Sequence, residues 1–180
     1  MNEKKFDPGP RAKVEMLRTG TRSTLIFVKT LKHPPNRVWK ALTDPEQLSQ
    51  WAPFKPDRRM DATGNARLQM IDGMSEEQFE SKVTRAIAPE VLEYTWGDTN
   101  LVWELKPEGD GTRLTLRHTV QSPDWVPKVA AGWHLCLCVA EKMMDGNPIG
   151  PIIGMDAMNY GWQELHDEYA AEMDIELSGH

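Results

Sequence analysis

The chain has 180 residues, 39% of them hydrophobic and 27% charged, a balance typical of a soluble globular domain with a sizeable core. Its net charge of −6 disfavours nucleic acid as a partner, because an acidic surface repels phosphate backbones. No run of 18 apolar residues indicates membrane insertion, no apolar signal peptide opens the sequence, and two cysteines cannot staple a domain, so we expect a cytoplasmic protein with reduced thiols.

The first part of the sequence predicts an arm, a strand and two short helices. Residues 1–20 are polar and contain a Pro-Gly-Pro triplet, which favours a flexible N-terminal arm. Residues 23–31 (STLIFVKTL) alternate and are rich in β-branched side chains, as a strand requires. Residues 33–51 then indicate two short helices, the second restarting at Asp44-Pro45.

The middle of the chain predicts an antiparallel meander, since turn signals separate five short segments and no helical pattern lies between them. These segments are 66–72, 78–87, 91–96, 100–107 and 112–120. Apolar and polar residues alternate in the last two, so one face of the sheet is predicted to be apolar. His118 falls on that apolar face.

A long amphipathic helix is predicted within residues 122–146, where apolar residues recur at a helical period from Val126 to Met144. A Gly/Pro-rich link follows, and then a last helix over residues 156–173. The order of elements predicts an α+β helix-grip fold, in which a curved antiparallel sheet wraps a long C-terminal helix and leaves a cavity. We expect a grip domain over residues 21–146 and a C-terminal extension, residues 147–180, that packs on it.

Three stretches carry a resemblance to a known family. They are HPPNRVWKALTDPEQLSQWAPF, LEYTWGDTNLVWELKPEGDGTRLTLRHTV and AAGWHLCLCVAEKMMDG. Together they resemble the activators of the heat-shock-protein-90 ATPase, a family of the START-like (SRPBCC) helix-grip superfamily, and the tail PIGPIIGMDAMNYGWQELHDEY resembles a bacterial subgroup. The resemblance implies a hydrophobic pocket. It implies no defined activity, because the superfamily includes lipid carriers, cyclases, hormone receptors and chaperone activators.

The HLCLC stretch holds both cysteines of the chain. On a helix, Cys136 and Cys138 lie about 200° apart, so they can neither form a disulfide with each other nor clamp one ion. His134 and Cys138 share a side, and His118 could approach from the sheet, but a structural zinc site needs four ligands. A Cys/His nucleophile would also need an orienting third group, and nothing in the sequence indicates an oxyanion hole or a strained nucleophile turn. The sequence therefore predicts no metal, no cofactor and no assigned catalytic residue.

His118 leaves two readings open. A buried polar group without a partner costs about 1–3 kcal/mol, so the ring must bond to a backbone carbonyl, to Tyr94 or to another inward polar group, or else serve a ligand as a donor or general base. The residues predicted to line the pocket come from the apolar sheet face, the second short helix and the long helix. They are Trp51, Tyr94, Trp96, Trp103, Leu116, His118, Trp133, His134 and Leu137.

The leading hypothesis is a protein that binds a small hydrophobic molecule between the sheet and the long helix. One alternative, implied by the resemblance, is a co-chaperone that docks on a heat-shock-protein-90 ATPase. Another is a pocket enzyme of cyclase or hydrolase type that uses His118 or His134 as acid or base. The identity of the ligand and the oligomeric state stay open. The 147–180 segment could be a lid, a brace behind the sheet or a dimer contact, and we favour the brace.

Overall fold

The computed structural model describes residues 12–71, 77–152 and 161–173. The described residues contain eight strands: β1 (Lys13–Thr19), β2 (Arg22–Leu31), β3 (Phe54–Pro56), β4 (Gly64–Met70), β5 (Gln78–Ile87), β6 (Val91–Trp96), β7 (Thr99–Glu108) and β8 (Gly111–Val120). Their helices are α1 (Pro35–Thr43), α2 (Pro45–Leu48), α3 (Val126–Met144) and α4 (Trp162–Glu172), and a 3₁₀ turn, Pro123–Trp125, precedes α3.

All eight strands pair antiparallel in one sheet, in the order β1-β2-β8-β7-β6-β5-β4-β3. The inward residues of β8 alternate with half-buried or exposed ones, and α3 lies over that inner face with most of its side chains buried. The sheet curves around α3 because both surfaces are apolar and neither can be covered by water at low cost. The predicted helix-grip fold of class α+β is thereby confirmed.

Residues 13–19 correct the prediction of a flexible arm. They form β1, which pairs with β2 over its whole length, from Lys13 opposite Val28 to Thr19 opposite Arg22. Val14 is buried and Met16 is packed against the core, so two inward side chains and seven backbone pairings hold a segment that looked polar in sequence. Residues 1–11 lie outside the described part of the chain.

The C-terminal helix α4 packs against α3 rather than behind the sheet. Its buried residues are Leu165, Tyr169 and Ala170, and the ring of Tyr169 lies 5.9 Å from that of His134 on α3 and 6.1 Å from that of Phe27 on β2. The helix predicted from residue 156 is observed from Trp162, and residues 153–160 lie outside the described part. A brace on the long helix therefore replaces the expected brace on the sheet.

Candidate functional site

The middle of the space between sheet and helix is filled by aromatic rings. Trp103 of β7 lies edge-on to Trp133 of α3 at 5.3 Å between centroids, and Trp51 packs against both, at 6.1 and 6.5 Å. All three rings are nearly inaccessible to solvent, as are Tyr94 and Leu116. Edge-to-face rings at such distances are favourable contacts of a packed core. These residues, predicted as pocket wall, pack against one another instead of around an empty centre.

An apolar pocket of about 470 Å³ opens at one end of the grip. It lies between the β6–β7 turn, the end of β8 and the start of α3, and this volume is within the range of small-molecule sites. Its lining residues are Met70, Glu77, Phe79, Trp96, Gly97, Asp98, Thr99, His118, Val120, Gln121, Trp125 and Val129. The floor is aromatic and aliphatic, and the polar groups are few.

Of the nine residues predicted to line a pocket, Trp96 and His118 line this one. Trp133 touches it indirectly through His118, whereas Trp51, Tyr94, Trp103, Leu116 and Leu137 are buried in the core. The sequence reasoning missed the lining contributed by Trp125, Val129 and Val120. Two of these residues could have been predicted from the sequence, because Val120 shares the inner face of β8 with His118 and Val129 lies one turn before Trp133 on α3.

His118 is held by hydrogen bonds on both ring nitrogens. The indole Nε1–H of Trp133 donates to His118 Nδ1 at 3.0 Å, and His118 Nε2 lies 3.2 Å from Oγ1 of Thr99. Thr99 Oγ1 donates in turn to the carbonyl oxygen of Trp96 at 2.8 Å. Because an indole N–H can only donate, Nδ1 must be the acceptor, so the neutral ring carries its proton on Nε2.

Burial fixes the charge state of this ring. His118 is 1% exposed, and desolvation lowers its pKa from 6.5 to about 3, so the imidazole is uncharged at neutral pH. A base of such low pKa whose Nδ1 lone pair is already bonded is poorly suited to removing a proton. Burial also raises the pKa of Tyr94, against a smaller lowering by the hydrogen bond from Trp103. Neither group provides a reactive acid or base near neutrality.

His134 faces α4 rather than the pocket. Its Nδ1 lies 2.6 Å from the hydroxyl oxygen of Tyr169, and that hydroxyl also accepts the backbone N–H of Ala12 at 2.8 Å. This cluster lies on the side of α3 that packs against α4, and it includes the residue just before β1. His134 therefore helps to fasten both ends of the described chain to α3.

The cysteines follow the helical geometry expected of them. Cys136 and Cys138 are half-buried and form no disulfide with each other. Nζ of Lys29 lies 4.0 Å from Sγ of Cys138 and pairs with Glu141 at 2.8 Å. In the described ranges, no three His, Cys, Asp or Glu side chains are placed to hold a metal ion.

Asp145, at the C-terminal end of α3, contacts His33 and Lys32, which lie between β2 and α1. Partial burial raises the pKa of this carboxyl, but hydrogen bonds from His33 and Lys32 lower it by more, so the pKa lies below its usual value.

The rim of the pocket is acidic. Glu77 and Asp98 line it, and Gln121 donates to Asp98 Oδ2 at 3.2 Å. Arg22 donates to the backbone carbonyl of Asp98 at 2.8 Å, so its charge is held beside the turn. No lysine or arginine is among the described lining residues.

Trp125 stands at the mouth of the pocket, before α3 begins. It is 54% exposed, and Nζ of Lys128 lies 4.9 Å above its ring. A large ring exposed beside an apolar cavity is available to cover a bound molecule.

A second recess of about 520 Å³ lies where β5 and β6 separate, next to a shift in their register. Its lining carries charges of both signs, from Asp57, Arg67, Glu80 and Lys82. Such a mixture selects no class of ligand, and His118 is not part of it. The apolar pocket is therefore the better candidate site.

Comparison with known proteins gives a family and a fold. A family model described as Activator of Hsp90 ATPase homolog 1-like protein matches residues 32–143. No curated protein matches the chain in sequence. In the described residues, no helix is long and apolar enough to cross a membrane.

Solved structures share the fold at low identity. CalU16 from Micromonospora echinospora is 21% identical, with a TM-score of 0.66 over 91% of this chain and 97% of that one. EF2215 from Enterococcus faecalis, a conserved protein of unknown function, is 16% identical, with a TM-score of 0.69 over 90% and 91%. DynU16, described as a protein in the dynemicin biosynthetic locus, is 21% identical, with a TM-score of 0.63 over 73% of this chain and 51% of that one. At these identities the likeness shows the fold alone.

Proposed function

This chain belongs to the family of Activator of Hsp90 ATPase homolog 1-like proteins, and we propose that it binds a small hydrophobic molecule in the pocket between β8, the β6–β7 turn and the start of α3. The carrying observation is the pocket itself. Its volume of about 470 Å³ suits a small molecule, and apolar and aromatic side chains make up most of its wall. Burying apolar surface there supplies the driving force at about 25 cal/mol per Å².

Two features indicate that this cavity binds a ligand and is not merely an irregularity of the surface. Trp96 and Phe79 are half-buried on the inner face of the sheet, and Trp125 is exposed at the mouth, so a ligand that removes these rings from water is favoured. The polar pair His118 and Thr99 lies at the inner end, where it can orient a ligand. Apolar walls with a few placed polar groups are typical of ligand sites.

The two alternatives have less support from the site. An acid–base role is disfavoured for His118 by its low pKa and its two bonded nitrogens, and for His134 by its place against Tyr169. Docking on a chaperone ATPase is supported only by the description of the family.

The test is a titration with Nile red, a neutral apolar dye whose fluorescence rises in apolar sites. Val129→Trp should fill the pocket, because Val129 lines it from α3, whereas Val102→Trp places the same ring on the outer face of β7. We expect saturable one-to-one binding to the wild type and to Val102→Trp, and at least tenfold weaker binding to Val129→Trp, with circular dichroism confirming that both variants fold.

Equal binding by the two variants would place the dye elsewhere and overturn the proposal. An absence of binding to the wild type, together with a stimulated heat-shock-protein-90 ATPase rate, would overturn it in favour of chaperone docking.

A further inference from the structure

We propose that the pocket selects uncharged ligands with a carbonyl-type acceptor, such as aryl ketones, lactones or quinones, and that the Nε2–H of His118 is the donor that recognises them. This inference rests on the proposed hydrophobic-ligand function and names the chemistry of the ligand.

The contact with Trp133 fixes which nitrogen of His118 carries the proton. Trp133 donates to Nδ1 of His118 from inside the core, so Nδ1 cannot carry the proton and Nε2–H must. Trp133 is itself 3% exposed and packed against Trp103, so the indole has no room to release this bond. The pocket therefore presents a donor at this position and not an acceptor.

The donor is also exchangeable. His118 Nε2 lies 3.2 Å from Oγ1 of Thr99, longer than the usual 2.9–3.0 Å of an N–H···O bond. Both residues line the pocket, and Thr99 has its own 2.8 Å bond to the carbonyl of Trp96. When a ligand oxygen accepts from Nε2–H in place of Thr99, the hydroxyl keeps its bond to Trp96. The exchange leaves no buried donor unpaired.

The charges around the pocket favour neutral carbonyl compounds over carboxylates as ligands. A carboxylate at His118 would be buried beside a neutral ring, with no lysine or arginine among the described lining residues to compensate it. Glu77 and Asp98 at the rim would repel it further. Two cations close to lining residues are engaged elsewhere, Arg22 at the backbone of Asp98 and Lys128 over the ring of Trp125.

The experiment uses three ligands of one shape: 2-acetylnaphthalene, 2-ethylnaphthalene and 2-naphthoate. Each displaces Nile red from the wild type and from His118→Leu at pH 7. The decisive quantity is the ratio of ketone affinity to hydrocarbon affinity, compared between the two proteins, because this comparison cancels the different transfer of the two ligands from water. We expect the ratio to fall about three- to tenfold in His118→Leu, and naphthoate to bind the wild type at least tenfold more weakly than the ketone.

A ratio that is equal in both proteins overturns this inference while leaving the hydrophobic-ligand function standing. Naphthoate as the tightest ligand overturns it too, whereas failure of all three ligands and of the dye overturns the function itself. If His118→Leu does not fold, Trp133→Phe replaces it. That variant frees Nδ1 to take the proton, so the ratio should again fall, and Trp103→Phe, which leaves the His118 bonds in place, should keep the wild-type ratio.

Discussion

The indole nitrogen of Trp133 and Nδ1 of His118 lie 3.0 Å apart across the interface of α3 and β8. This one contact joins the core to the pocket, because Trp133 packs on Trp103 while His118 lines the cavity. It satisfies two buried polar atoms at once and sets which nitrogen of the ring carries the proton. A helix-grip fold thus places a neutral donor at the inner end of an apolar site.

Replacing Trp133 with Phe removes this donor and leaves Nδ1 of His118 buried. We expect the free energy of unfolding to fall by about 3 kcal/mol, from the lost bond and the smaller ring together. The ¹⁵N spectrum of the imidazole should change from the Nε2–H tautomer to a mixture. Trp103→Phe is the matched control, since that indole donates to Tyr94 at 3.3 Å, and it should leave the tautomer of His118 unchanged. An unaltered tautomer in Trp133→Phe would contradict the assignment.

The low pKa of His118 makes stability depend on pH. The folded state holds this ring neutral down to about pH 3, whereas the unfolded chain protonates it near 6.5, so between these values the unfolded state binds the extra proton. Stability is therefore lost as the pH falls from 6.5 toward 3, by about 1.4 kcal/mol per pH unit.

Urea unfolding at pH 7 and pH 5 measures this slope, with His118→Gln as the comparison because Gln does not titrate. The wild type should lose about 2 kcal/mol more than the variant over this interval. Asp145 cannot produce the difference, since its pKa is lowered from 3.8 and its contribution is lost only at still lower pH. Equal losses in the two proteins would mean that folding does not lower the pKa of His118.

Tyr169 fastens both ends of the described chain to α3. Its hydroxyl accepts the N–H of Ala12 and bonds to His134 at 2.6 Å, so Tyr169→Phe should lower the free energy of unfolding by about 1–3 kcal/mol. Amide hydrogen exchange should accelerate in β1 and α4 and stay unchanged in β7. Tyr94→Phe, which removes a hydroxyl from the other side of the core, should leave exchange in β1 at its wild-type rate. A uniform acceleration across the sheet would contradict this local role.

The sequence predicted the fold because alternation and helical period report which side of each element faces inward. That signal placed His118 on the inner face of β8, where it lies. It failed for β1, where only Val14 and Met16 turn inward among charged neighbours, and pairing with β2 supplies what propensity does not. The strand β3 has only three residues, too few for an alternating pattern to be recognised in the sequence.

The position of the pocket could not be predicted in the same way. An inward side chain can line a cavity or fill it, and alternation does not distinguish the two. Trp51, Trp103 and Trp133 fill the centre because their rings interlock, which depends on the curvature of the sheet. The cavity is displaced toward Trp125 and Val129, at the end of the grip where the rings stop. Of the partners considered for His118, Tyr94 bonds to Trp103 instead, and inward polar groups, Trp133 and Thr99, take the two ring nitrogens.

Gly111, the first residue of β8, tests how closely the end of β2 approaches the hairpin formed by β7 and β8. A Cβ added there would lie 2.1 Å from the backbone oxygen of Leu31, and a backbone atom cannot move aside as a flexible side chain can. Gly111→Ala should therefore cost about 3 kcal/mol or more in the free energy of unfolding, at or above the usual cost of overpacking.

Gly109, in the turn between β7 and β8, is the control. It has a φ of 59° and nothing within 4 Å of an added Cβ, so Gly109→Ala should cost only about 1–2 kcal/mol of backbone strain. Thermal or urea unfolding of both variants compares steric contact with conformational strain at two sites two residues apart. If Gly109→Ala proves the more harmful, the close approach of Leu31 to the hairpin is wrong. In that case the pairing of β2 with β8, which sets the position of His118, would need to be redrawn, because Leu31 pairs with Thr112 in that ladder.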